Sequence, residues 1–356
     1  MVAKSSIVSA ICICTGLNAG PAFAKQPIEA DPAKAWVHSR TQVSLPSEMM
    51  GLGRVEITDF GTEQYDVIGN YASSDDSTLL TVYLYRAGFA EVSASFDAVL
   101  AIVSQREGFD AGKLADYHIQ QFKPDGHPNA DSLMAAWDIS PGGRFASSGV
   151  ALVPHGQWLL KLRISSRNHK GSELPQLMRT VVSDLALPVP GFWSPESYLV
   201  EPCASALETR KARIVPTEGS AIALQAVASL IIGKAQNEDG EPIQFGDDSR
   251  WCRDDGITPQ RIYRPEGTRD RYVIYLNDAG HVLRVGETTS LGAVLQPKVD
   301  GVVSVTYANS EISEVYPPLD SLPAPGQLDE IYRNQRILAR TDRDQSIEMI
   351  TDPKPK

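Results

Sequence analysis

The sequence predicts an α+β protein, an antiparallel-sheet α/β sandwich followed by a second β-rich α+β domain, and three stretches carry that expectation. Val150 to Ile164, VALVPHGQWLLKLRI, reads as two strands around a Pro/Gly turn. In it Trp158, Leu160, Leu162 and Ile164 alternate with Leu159, Lys161 and Arg163 at the period of a strand. Thr78 to Arg86, TLLTVYLYR, is the most β-prone run in the chain. Leu187 to Pro195, LPVPGFWSP, is a proline- and glycine-rich break of the kind that separates domains.

The first 24 residues have the three-part layout of a secretory signal peptide. Lys4 gives a positive start, Ile7 to Leu17 an apolar core, and Ala22-Phe23-Ala24 small residues at the cleavage-determining positions. Cleavage is expected after Ala24. Cys12 and Cys14 lie within the leader behind Ile11 and Ile13, which argues against lipoprotein processing. Removing the leader lowers the formal net charge from −11 to −12, because Lys4 is its one charged residue. An acidic chain repels nucleic acid and anionic lipid. No later stretch approaches the ~20 apolar residues of a membrane span. The expected location is periplasmic or secreted.

About 330 remaining residues exceed one ordinary hydrophobic core. The expected division gives 25–190 to the sandwich domain, 191–198 to a linker, 199–320 to the β-rich domain and 321–356 to a charged C-terminal tail. Lys25 to Thr41, with Pro27 and Pro32, reads as an extended lead-in. Strands are expected at Arg54 to Thr58 and Asp66 to Tyr71, with a turn at Ser73 to Asp76 before Thr78. From Ser95 the period becomes helical: Phe96, Val99, Leu100 and Val103 share a face, with Ser95 as N-cap and Gly108 past the end. Lys123 to Asp131, KPDGHPNAD, is a loop, and Ala135, Trp137 and Ile139 alternate as a strand. Pro141 to Arg144 turns the chain back into the central hairpin. Leu177, Met178, Val181, Val182 and Leu185 draw a helix stripe suited to lie on the sheet.

Past the break, Ala223, Val227, Leu230 and Ile231 share a face of an expected helix over Ser220 to Gln236. Strands are expected at Arg261 to Arg264, Arg271 to Leu276, His281 to Val285 and Val302 to Tyr307. Asn277-Asp278-Ala279-Gly280 has hairpin-turn chemistry. The run of strands and helices over about Arg54 to Leu187 resembles the PsbP-like α/β sandwiches, a group that includes DcrB-like periplasmic proteins. Thr78–Arg86, the helix from Ser95, Trp137 and its neighbours, the hairpin through Trp158 and the closing helix carry the likeness. It covers less than half the chain. The missing lipoprotein cysteine departs from the DcrB-like pattern. Such folds are mostly accessory or binding modules, so the resemblance implies no reaction.

Motifs for chemistry are incomplete. Gly108 to Leu114 has three residues between Gly108 and Gly112 where a phosphate-binding loop has four, and Leu114 replaces its hydroxyl. No Gly-x-Ser-x-Gly elbow exists. His118, His127 and Asp131 could come together around the Lys123–Asp131 loop, but they form no zinc motif. Glu238, Asp239, Glu241, Asp247, Asp248, Asp254 and Asp255 form an acidic cluster, but Ala235 and Gly246 stand where an EF-hand loop needs its first and last ligands. No catalytic, metal or cofactor site is therefore assigned. Cys203 and Cys252, the two cysteines beyond the leader, match no zinc or redox spacing and are expected to form a disulfide. Phe192 and Trp193 in the linker are the candidate partner surface. The expected function is a non-enzymatic binding or accessory module of a bacterial-type cell envelope, contacting a protein or envelope component. The alternative is a secreted hydrolase whose site is assembled only in space.

Overall fold

A computed structural model of the chain describes residues 25–103, 119–139, 142–190, 194–215, 250–255, 261–287, 302–335, 337–343 and 346–350. The chain opens with β1 (Gln26–Pro27), a short ribbon of β2 (Trp36–Val37) and β3 (Ser44–Leu45), and β4 (Glu48–Met49). Strands β5 (Leu52–Asp59), β6 (Asp66–Ala72) and β7 (Thr78–Arg86) then form an antiparallel meander. After α1 (Val92–Val103), a second meander of β8 (Gln120–Phe122), β9 (Ser132–Asp138), β10 (Ser147–His155) and β11 (Trp158–Ser166) starts at the far edge and returns to pair β11 with β7. The sheet order is β1-β5-β6-β7-β11-β10-β9-β8, with β4 on β5. A 3-10 turn at Gly171–Glu173 leads into α2 (Leu174–Asp184), which has a proline in its first turn where no intrahelical donor is lost.

Strand alternation divides this sheet into two apolar faces. Leu80, Val82, Leu84, Met134, Ala136, Ala151, Val153, Trp158, Leu160, Leu162 and Ile164 face α2, through Leu174, Met178, Val181 and Leu185, and the ribbon, through Val43 and Leu45. Tyr85, Leu133, Ala135, Trp137, Val150, Leu152 and Leu159 face α1, through Phe96, Val99, Leu100 and Val103. The predicted hairpin is present with a tighter turn. His155 pairs with Trp158, so the turn is Gly156-Gln157 alone, and Gly156 supplies its positive φ of 61°. Pro154 is tolerated inside β10 because the β9 pairing has already ended at Leu152.

The start of α1 differs from the sequence reading. The helix begins at Val92, and the Glu91 carboxylate caps it by accepting from Ala94 N at 2.5 Å. Ser95 is inside the helix, its hydroxyl 2.9 Å from that of Tyr275. The cue that suggested a cap was a polar residue placed there to meet another sheet.

That sheet is an eight-stranded antiparallel meander in chain order among the described residues. Its strands are β12 (Trp251–Arg253), β13 (Arg261–Pro265), β14 (Arg271–Tyr275), β15 (Val282–Glu287), β16 (Val303–Ala308) and β17 (Ile312–Val315), then, after α3 (Pro325–Asn334), β18 (Ala339–Asp342) and β19 (Ile347–Met349). Where the sequence reading has only a charged tail after residue 321, a helix and two strands extend the fold. Leu328 and Ile331 of α3 cover one face of the sheet with Ile262, Ile274, Leu283 and Val305. The other face, with Tyr263, Val273, Tyr275 and Val282, packs on Ala94 and Ala98 of α1. Helix α1 thus lies between two sheets, large side chains toward the first and small ones toward the second. The expected helix over Ser220–Gln236 lies outside the described residues.

Candidate functional site

Two buried polar regions stand out, and the first is at the tip of the β2–β3 ribbon. His38, His127 and His155 are 0 %, 3 % and 6 % exposed. His38 Nε2 lies 2.8 Å from the Gln64 carbonyl, which only accepts, so Nε2 carries the proton. Its Nδ1 then accepts from Thr41 Oγ1 at 2.8 Å and Thr41 N at 3.1 Å. His155 bonds to the Thr41 backbone, and its Nδ1 has no hydrogen-bond partner. Burial pushes both imidazoles below their ordinary pKa; for His155 the nearby His127 and His38 act in the same direction. The His38 ring meets Trp158 edge-on at 5.0 Å and Trp36 at 5.8 Å, and Tyr65 stacks on Trp158.

The second region is the seam where two hairpin turns of the second sheet press on the first. Asn277 Oδ1 accepts from Ala279 N and His281 N, closing the β14–β15 turn that the sequence predicts. Gly280, at φ 76°, accepts from Gly88 N at 3.1 Å. A Cβ on Gly88 would lie 2.6 Å from the Ala308 carbonyl, so contact this close requires glycine. Lys161, 3 % exposed, donates to Asp278 O at 2.6 Å and Oδ2 at 3.1 Å, and its ammonium sits 4.3 Å above the Tyr83 ring. The β16–β17 turn brings the Glu311 carboxylate to the amide of Thr62. Asp66, half-buried, lies within electrostatic reach of Lys161, Asp278 and Glu311. Burial raises its pKa to about 6; Lys161 opposes the shift, while Asp59, Glu311 and Asp278 add to it. Alongside, Asp97 of α1 accepts from Arg253 Nη1 and Tyr263 OH, each at 2.7 Å.

The structure brings some of the sequence-derived residues together. Cys203 and Cys252 form a disulfide, Cα atoms 4.9 Å apart, that ties residues 201–203 to β12. His127 Nδ1 lies 2.8 Å from Asp131 Oδ2, and Ser132 Oγ donates to Asp131 Oδ1. The two are an orienting carboxylate and a base, both sealed beneath the surface. Asp254 pairs with Arg264 and accepts from Leu207 N, while Asp255 pairs with Arg253, so these two carboxylates serve the fold. Among the described residues no three His, Cys, Asp or Glu side chains are placed to hold a metal ion. No helix among them is long and apolar enough to cross a membrane. The leader with Ala24, the Gly108–Leu114 motif, His118, Phe192 and Trp193, and Glu238 to Asp248 lie outside the described residues.

Sequence reasoning missed the seam and two of the three histidines. Lys161 reads as the outward side of a strand, and His38 and His155 as lead-in and turn. The available signal was a lysine amid Leu159, Leu160 and Leu162, a charge that a sheet covered on both faces must pair. Comparison with family models, with characterised proteins and with solved structures finds no match.

Proposed function

We propose that the chain is an exported, non-enzymatic binding or accessory module of a bacterial-type cell envelope, contacting a protein or envelope component in the periplasm or outside the cell. One observation supports this reading over the others. Among the described residues, His38 and Lys161 each bond a neighbouring element of the fold, His127 and Asp131 bond each other within one loop, and all four are at most 3 % exposed. Groups so placed hold elements together and do not meet a substrate. The disulfide agrees with an oxidising compartment. The acidic charge disfavours nucleic acid and anionic lipid as partners.

The second reading, a hydrolase, draws on the 2.8 Å His127–Asp131 contact, the orienter–base half of a triad. One experiment separates the two. The mature chain is immobilised, cross-linked to a solubilised envelope fraction, and in parallel treated with a fluorophosphonate probe. The binding reading expects saturable capture of a defined envelope component and no covalent labelling. Labelling that His127→Ala abolishes would assign the hydrolase instead.

A further inference from the structure

We infer that the β2–β3 ribbon is an acid-released latch: protonation of His38 and His155 frees its tip from the β5–β6 loop and the β10–β11 hairpin, uncovering the aromatic cluster of Trp36, Tyr65 and Trp158. The inference goes beyond a binding role and does not depend on one.

The tip, residues 38–43, is closed by His38 N to Val43 O at 2.9 Å and Gln42 N to His38 O at 3.0 Å. Beside the bonds of Ser39 to Gln64 Oε1 and of Arg40 Nε to the Glu63 carbonyl, which do not titrate, two imidazoles fasten it to other elements. His38 reaches across to Gln64 in the β5–β6 loop, and His155 reaches from the end of β10 to the Thr41 backbone. The fastening requires neutral rings. A proton on His38 Nδ1 would face the Thr41 N–H that the nitrogen now accepts, leaving two donors opposed in a buried site. A proton on His155 Nδ1 would be added to a buried nitrogen with no acceptor.

The groups around the pair do not supply a counter-charge dedicated to it. Asp59 favours a charged His38, but its carboxylate accepts from Gly61 N and Gln64 N, while Arg40 opposes the charge from the tip itself. Glu63 in the β5–β6 loop is engaged with Arg40. His127, from the loop before β9, opposes a proton on His155, and Asp131 is bonded to His127. Trp158 and Trp36 present rings to His38. Opening the tip hydrates both imidazoles and lets them titrate near the ordinary histidine value of 6.5. In the window below 6.5 and above the depressed folded values, opening takes up about two protons, so its equilibrium constant rises by roughly a hundredfold per pH unit.

Hydrogen exchange of the full mature chain between pH 7.5 and 5, corrected for the intrinsic rate, reads this directly. The peptide spanning residues 36–45 is expected to lose protection below pH 6.5, while peptides from α2 and β14 hold theirs. His155→Phe keeps a ring in the same space and should reduce the dependence to about tenfold per pH unit. If that variant does not fold, nitrogen-15 shifts of the wild-type imidazoles replace it, with two rings expected to titrate together with the ribbon's loss of protection. Protection of 36–45 that persists to pH 5 would overturn the latch. So would loss in step with α2 and β14, an unchanged dependence in His155→Phe, or two imidazoles that titrate with no change in the ribbon.

Discussion

The ribbon end and the seam bury polar groups by opposite means. At the ribbon end the groups are neutral imidazoles whose hydrogen bonds need one ring nitrogen unprotonated. At the seam they are charges, a lysine set against Asp278 with Asp66 and Glu311 nearby. Acid therefore acts with opposite sign on the ribbon histidines and on Asp66. A histidine with a depressed folded pKa costs stability as pH falls below its unfolded value, because the unfolded chain takes up the proton first. A carboxyl with a raised folded pKa gives its full stability below its unfolded value and loses it as pH rises through the folded one. Burial alone does not tell which elements acid loosens; the charge state that each contact requires does.

The largest expected effect concerns the seam side alone. Cys203→Ser opens a loop of 49 residues and should cost about 4 kcal/mol in the chain-entropy account. Urea unfolding should show the loss, while exchange at the ribbon stays as in the wild type. Lys161→Met removes the buried ammonium that bonds Asp278; with Asp278 partly open to water the expected cost is about 2–3 kcal/mol at pH 7.5. Gly88→Ala forces a methyl against the Ala308 carbonyl and should cost about 1–3 kcal/mol, with the β14–β15 turn displaced.

Asp66→Asn has the reverse sign. The carboxyl titrates at about 6 in the fold against 3.8 in the unfolded chain, so it weakens the protein above pH 6. The variant should be more stable by about 1–2 kcal/mol at pH 7.5, solvent screening reducing the full effect, and the gain should vanish near pH 4. Thermal melts at both pH values check it. The term that is smallest at pH 7.5 is His281, held down to about 4 by burial and 3.0 Å from the Tyr307 hydroxyl. It adds up to about 1.4 kcal/mol of loss per pH unit between 6.5 and 4, which His281→Gln should remove.

The first sheet was largely legible in the sequence because its signals are local. Thr78–Arg86 is a strand to the residue, and Phe96, Val99, Leu100 and Val103 face the core as their spacing indicates. The Asn277–Gly280 turn was legible through side-chain chemistry that closes it without outside help. The second face of α1 was not. Ala94 and Ala98 carry no periodic signal, and their role comes from a sheet more than 150 residues away in sequence. The helix at Pro325–Asn334 was hidden because its prolines read as punctuation, although one of them starts it. The candidate site was least legible, since Lys161, Asp66 and Asp278 meet only once both sheets are in place.

The seam presupposes that the two sheets form one body around α1, and a cut chain tests that most directly. A protease site engineered between residues 187 and 198, cleaved after folding, removes the covalent link and leaves the packing of α1 on both sheets, the Lys161–Asp278 pair and the Gly88–Gly280 contact. The account predicts that the two fragments co-elute on gel filtration at pH 7.5 and melt in a single transition. Fragments that separate without denaturant, each melting at its own temperature, would contradict it.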